Sequence, residues 1–267
     1  MGRVILHIGT LKTGTTSFQK WFSDNEDVIT ATTGARWFRG DFPDAREIAA
    51  ACIDGDRETP AMALGFFPTR GSAEWHTWRD GVEQNVRAQI SASDSPIVVS
   101  CEALCLLRRP SEITRLGALF DPESTAIVLT LRSPAGFLGS WKQHLEHDFF
   151  RRSNDPQSFA YVADDSWLVD YDGLITAYKT VFKGPFTVID YDAALERNGS
   201  VLPALIGSFT NVPLADLPDW HDYRLNRSAR PPRKPVRGLA RPRHYVRYYK
   251  WKAAQTVRHR LRRLRIV

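Results

Sequence analysis

A lysine set among threonines between two glycines, Gly9-Thr10-Leu11-Lys12-Thr13-Gly14-Thr15-Thr16, separates an apolar run at residues 3–8 from a helical pattern at 15–24. These residue types in this order make an anion grip. Gly9 and Gly14 permit backbone torsions that turn successive N–H groups onto one oxyanion, and the following helix adds the positive end of its dipole. Lys12 supplies a full charge, and the threonine hydroxyls supply donors. The usual triphosphate loop, G-x-x-x-x-G-K-[ST], puts its lysine directly after the second glycine. Here Lys12 comes two residues before Gly14, so a different phosphate chemistry is expected.

Two further segments carry groups able to act at the same place. The β-branched run Thr125–Leu131 reads as a buried strand and ends in Arg132-Ser133-Pro134, with Pro134 suited to the first turn of a helix over 135–149. Arg132 is then expected at the carboxyl end of a strand, and Ser140 on the next helix, where α/β folds collect their ligands. His144 stands one turn beyond Ser140 on the same face, with His147 a further turn on a neighbouring line. A strand over 96–100 precedes Glu102. Its carboxylate can serve as a general base, cap the helix that follows, or pair with Arg108 or Arg109. Glu102 and His144 are the two candidate bases.

The form G-x-x-K-T-G-T-T resembles the 5′-phosphosulfate loop of sulfotransferases that use 3′-phosphoadenosine 5′-phosphosulfate (PAPS). The resemblance implies that Lys12 sits at the oxygen bridging phosphate and sulfuryl group, while Thr13, Gly14, Thr15 and Thr16 hold the 5′-phosphate. Arg132 with Ser140 eight residues on is similar to the family's pair for the 3′-phosphate. Ser140-Trp141-Lys142-Gln143-His144 resembles the S-W-x-Q-H run of heparan N-sulfotransferase domains, where the histidine lies at the acceptor site. Ser100-Cys101-Glu102-Ala103-Leu104 resembles the S-x-E-x-L step of bacterial members, and Asn226-Arg227-Ser228 a late N-x-S step. The R-K-G-x-x-G signature of the cytosolic small-molecule enzymes is absent, which favours a bacterial or carbohydrate-type enzyme. The implied reaction is in-line transfer of a sulfuryl group from PAPS to a hydroxyl or amine, a saccharide being the expected acceptor and adenosine 3′,5′-bisphosphate (PAP) the product. No metal is required in that scheme, because Lys12 neutralises the leaving oxygen. The alternatives are a P-loop kinase using ATP–Mg²⁺, with Asp190 as the metal-holding acid, and a non-catalytic adaptor acting through a basic tail.

Strands alternating with helices imply an α/β fold, a P-loop-type three-layer sandwich on a central parallel sheet. Beyond the elements already placed, the pattern predicts helices over 79–92, 111–120, 170–182 and 200–209 and a strand over 186–190. The stretch 31–78 reads as irregular, a long loop over the sheet from which Trp37, Phe38, Phe66, Phe67, Trp75 and Trp78 could line an acceptor cleft or pack in the core. With 267 residues and 43% hydrophobic content, a core of ordinary size is available. Cys52, Cys101 and Cys105 make neither a disulfide framework nor a metal site and are expected to be reduced, partly buried thiols.

The domain organisation expected is residues 1–228 for the α/β unit and 229–267 for a basic extension. Sixteen Lys and Arg and no Asp or Glu lie from Arg224 to Val267, leaving twenty basic against thirty acidic residues before them, a body of −10 and a tail of +16. Such blocks mark interaction tails. Residues 229–243 are Pro/Arg-rich and read as a connector. Val246, Tyr249, Ala253, Val257, Leu261 and Leu264 form one apolar stripe within 244–265, suited to an anionic membrane surface, a partner groove or the chain's own acidic body. No nucleic-acid recognition module is visible, so nucleic acid is not an expected partner. Neither a secretion signal nor a run of membrane-spanning length is evident, and the expected location is cytoplasmic, with peripheral membrane contact through the tail.

Overall fold

The computed structural model describes residues 4–147 and 150–223. The Asn226-Arg227-Ser228 step, the connector, the amphipathic tail and the side chain of His147 lie outside the described residues. In chain order the elements are β1 (Val4–Gly9), α1 (Thr15–Asp24), α2 (Glu26–Thr33), β2 (Arg36–Trp37), α3 (Arg46–Cys52), α4 (Pro60–Ala63), α5 (Ala73–Ser91), β3 (Ile97–Ser100), α6 (Pro110–Leu119), β4 (Thr125–Leu131), α7 (Pro134–His147), α8 (Tyr171–Val181), β5 (Phe186–Asp190), α9 (Tyr191–Asn198) and α10 (Leu202–Phe209). Short 3-10 turns occur at Glu102–Leu106, Trp167–Val169 and Leu214–Asp216.

All five strands pair in parallel in the order β2-β3-β1-β4-β5. The chain builds the β2–β3 side first and then passes β1 to add β4 and β5. The segments leaving β1, β3 and β4 therefore open at one edge of the sheet, beside the switch in strand order where such folds bind ligands. Strand pleating sends alternate residues to opposite faces. Leu6, Ile8, Val99 and Leu129 pack on one face with Ile48 of α3, Ile113 of α6, Trp141 of α7 and Tyr178 of α8. Ile5, Val98 and Val128 pack on the other with Phe18, Trp21 and Phe22 of α1 and Leu205 and Phe209 of α10. Three layers result.

The apolar residues of α1 recur at Phe18, Trp21 and Phe22, one face of a helix, and all three are fully buried. Phe209 lies 5.5 to 6.5 Å from each ring. Burying side chains of this kind contributes roughly 1.5–3 kcal/mol apiece, so the helix that presents Gly14 is firmly seated.

The segment 31–78 is not the structureless loop expected from its composition. It holds the end of α2, the edge strand β2, α3, α4 and the first turn and a half of α5. The α2 sequence Glu26-Asp27-Val28-Ile29-Thr30-Ala31-Thr32-Thr33 is rich in β-branched residues that are poor helix formers, which hid it. Acidic residues in its first turn and Gly34 in the left-handed region after its last turn delimit it. The α5 helix begins at Ala73 because Ser72 caps it, its hydroxyl accepting from the Trp75 N–H. The α9 helix was also missed. Asp190 caps it through the Ala193 N–H at 3.0 Å, and Gly199 closes it at φ 64°.

Candidate active site

The loop after β1 is held in a conformation that L-residues rarely adopt. Lys12 has φ 71° and Gly14 φ 81°, and a non-glycine residue in this region is a strain found mostly where a function requires it. The Thr13 hydroxyl donates to the Thr10 carbonyl at 2.5 Å, and the Thr10 N–H and hydroxyl both donate to the Thr130 carbonyl on β4 at 2.9 and 3.0 Å. The loop is thus tied to itself and to the neighbouring strand. A side chain at Gly9 would strike the Thr15 and Thr13 hydroxyls, and one at Gly14 would strike Val201. Thr15 is buried, with its Oγ1 left without a hydrogen-bond partner, and Thr16 is exposed. Among the described residues no carboxylate forms an ion pair with the Lys12 ammonium.

Glu102 opens the 3-10 turn after β3, facing the Lys12 backbone N–H. Burial, reinforced by the charge of Asp44, pushes its carboxyl up to about 7 against the opposing pull of Lys12 and Arg46. The pairings weighed for it with Arg108 and Arg109 are not made. Arg109 binds Asp56 at 2.6 Å, and Arg108 donates to the carbonyls of Cys105, Leu168 and Asp170.

On the other side of β1, Arg132 follows β4 with its side chain 26% exposed. Its guanidinium lies 5.3 Å from the centre of the Tyr191 ring and its Nε 3.8 Å from Asp192, with no hydrogen-bond partner at that nitrogen. Tyr191 also approaches Gly14, its ring edge 3.7 Å from where a Cβ on that glycine would stand. The Lys12 loop and Arg132 therefore meet across one tyrosine. Asp192 accepts the Ser133 N–H at 2.9 Å and steadies the turn that aims Arg132.

Beneath these groups lies His7, in the middle of β1 and almost wholly buried. Its Nδ1 is 2.9 Å from the Ser100 hydroxyl on β3 and its Nε2 3.1 Å from the Thr130 hydroxyl on β4. Burial lowers its pKa to about 3, so the ring is neutral, one nitrogen donating and the other accepting. Glu102 and Arg132 each come two residues after a partner of this histidine.

Ser140 and His144 lie on α7, about 9 and 15 Å along the helix from Pro134 at 1.5 Å per residue. Ser140 is half-buried. The His144 ring packs on Trp141 at 4.9 Å, and Trp141 is fixed by donation from its indole N–H to the Phe159 carbonyl at 2.9 Å. Asp190, the acid on which the kinase alternative rests, caps α9. No helix among the described residues is long and apolar enough to cross a membrane. Cys52, Cys101 and Cys105 are free thiols, fully rather than partly buried. Burial pushes Cys52 and Cys105 up to about 12, far from a reactive thiolate.

No protein-family model matches the chain, and no curated protein does either. Solved structures do. A sulfotransferase from Alicyclobacillus acidocaldarius superposes with a TM-score of 0.50 at 15% identity, over 96% of this chain and 93% of the other. The chain has a sulfotransferase fold. The sulfotransferase domain from the curacin biosynthetic pathway matches with a TM-score of 0.48 at 12% identity, over 97% of this chain and 96% of that one.

Within this sulfotransferase fold, sequence reasoning missed Tyr191 and Asp192, because the helix carrying them had not been found. The signal was present in Asp190 and Gly199, a cap and a terminator with the eight residues of the helix between them. It also missed Glu47 on α3, which is 2% exposed. One carboxylate oxygen accepts the Asp41 N–H at 3.0 Å while the other has no partner, and burial pushes the group up to about 7 from 4.5. A carboxyl protonated more readily in the folded state gives its full stability below the unfolded value and loses it as pH rises through the folded one. Glu102 acts in the same direction. The melting temperature is therefore expected to fall between about pH 5 and 7, less steeply below 6.5, where the buried neutral His7 acts the other way. Glu47→Gln, which keeps an acceptor for Asp41 and carries no charge, should flatten part of that fall in thermal melts, and an unchanged slope would contradict the assignment.

Proposed function

We propose that the chain transfers a sulfuryl group from PAPS to a hydroxyl or amine of an acceptor, with a saccharide as the acceptor class. The observation that carries this reading is the meeting of the Lys12 loop and Arg132 across Tyr191 at the carboxyl edge of adjacent strands. One nucleotide with phosphates at both ends of its ribose can touch both. Two buried polar atoms without hydrogen-bond partners, Thr15 Oγ1 and Arg132 Nε, fit such a ligand, one on each side. Loop N–H groups, the Thr15 and Thr16 hydroxyls and the α1 N-terminus hold the 5′-phosphate; Arg132, with Ser140, holds the 3′-phosphate.

The donor supplies a sulfuryl group already bonded to a good leaving oxygen. As the acceptor oxygen or nitrogen bonds to sulfur, the bond from sulfur to the bridging oxygen breaks and its electron pair leaves with the phosphate. Lys12 balances the charge gathering on that oxygen, and the acceptor's proton passes to a base. Of the two candidate bases, Glu102 has the support of its place beside Lys12 and of a carboxyl poised near neutral pH. His144 is assigned to the acceptor side of the cleft.

Calorimetry with PAP in the absence of metal, against ATP–Mg²⁺, tests the proposal. The bisphosphate is expected to bind more tightly, and a preference for ATP–Mg²⁺ would point to a kinase instead. Arg132→Ala should weaken the bisphosphate about 10- to 100-fold, the scale of one lost charge-assisted contact. Retention of full affinity by that variant would remove Arg132 from the site.

A further inference from the structure

A cavity of about 710 Å³ opens between α5 and the segments before α3 and α5, within the roughly 300–1,000 Å³ range of small-molecule sites. Its wall is aromatic, built from Phe42, Phe66, Phe67 and Trp78, and its lining carries two carboxylates, Asp41 and Glu74, with no lysine, arginine or histidine. Phe42 meets Phe66 and Phe67 edge-on at 5.9 and 5.5 Å, and Phe67 lies 4.9 Å from Trp78. Such a set of faces and edges is a cage and not a stack.

We infer that this cavity binds an organic cation, an ammonium-bearing part of the acceptor held away from the reacting group. Ring faces carry negative quadrupole potential and the two carboxylates add full charge, so both components of the lining select the same sign. The protein already uses this wall in that way: the Arg46 guanidinium sits 5.3 Å from the centre of Phe42 and 5.6 Å from that of Phe66. The cavity also joins the transfer centre through one short stretch of chain. Asp41 and Phe42 lie in it, and Asp44 and Arg46, paired at 2.6 Å, are two of the three charges that act on Glu102, Lys12 being the other. An acceptor with its cation in the aromatic cage and its nucleophile at Glu102 would follow residues 41–46 between the two. This inference deepens the sulfotransferase reading and rests on it for the word acceptor, whereas cation binding itself does not.

The probes are choline and its neutral carbon isostere 3,3-dimethylbutan-1-ol, titrated into the full chain by calorimetry without nucleotide, with PAP in a separate titration. Choline is expected to bind at least about tenfold more tightly than the isostere, the scale of a cation–aromatic contact beside carboxylates. The double variant Asp41→Asn/Glu74→Gln alters two exposed side chains and should reduce choline affinity by about tenfold while leaving PAP affinity unchanged. Equal binding of the two probes, or none of either, overturns the cation site. PAP binding without choline binding would sink this inference and leave the proposed function standing, and choline binding without PAP binding would do the reverse.

Discussion

Lys12→Ala is expected to lower turnover about 10²- to 10³-fold, the loss that follows removal of one preorganised group stabilising charge that develops in the transition state. The ground state should suffer less. The loop's N–H groups and the α1 N-terminus remain, so PAP affinity should change by less than about tenfold. This split between kcat and binding separates a leaving-group role from a merely structural one. Lys12 stands at φ 71°, a torsion that alanine tolerates no better, and a Lys12→Gly variant controls for this by removing the strain along with the charge. Both variants should be equally impaired in turnover. If glycine restored it, the lysine would matter for loop shape and not for charge.

Glu102→Gln carries the second large effect. A well-placed general base contributes about 10²- to 10⁴-fold, and a loss in that range is expected in kcat/KM at pH 8. The pH profile gives the sharper readout. With its carboxyl near 7, Glu102 is an effective base only when ionised, so the rate for wild type should climb from pH 5.5 and level off above about 8. In Glu102→Gln that rising limb should disappear. Asp44→Asn removes a charge that raises the carboxyl and should shift the limb to lower pH. A profile that kept its limb without Glu102 would transfer the role to His144.

The central part of this architecture was legible in the sequence because its strands are continuous apolar runs. Val4–Ile8, Ile97–Val99 and Thr125–Thr130 are buried on both faces, and no other element type suits short β-branched runs flanked by Gly, Pro and Arg. The turn between β1 and α1 was legible for a related reason. Lys12 between glycines is a local pattern, even though Thr130 and Val201 complete its packing from far along the chain. What could not be read depends on tertiary context. The α2 helix is made of residues that favour strands and holds through Ile29, buried at 0% exposure. Phe42 was not among the aromatic residues expected to line a cleft, yet it joins Phe66, Phe67 and Trp78 around the cavity, whereas Phe38 and Trp75 do not line it. No periodicity separates these two fates, because α3, α4 and α5 meet only after the chain has folded.

The histidine that ties Ser100 to Thr130 fixes more than the strands themselves. It locks three neighbouring strands at the natural spacing of a sheet, about 4.8 Å per step, so the groups emerging from the outer two stand roughly 10 Å apart whatever side chains they carry. The sheet is in this sense a ruler, graduated in strand widths, against which a ligand's length is measured. Exchanging residues at the rim can change what is gripped, but accommodating a longer molecule would require another strand.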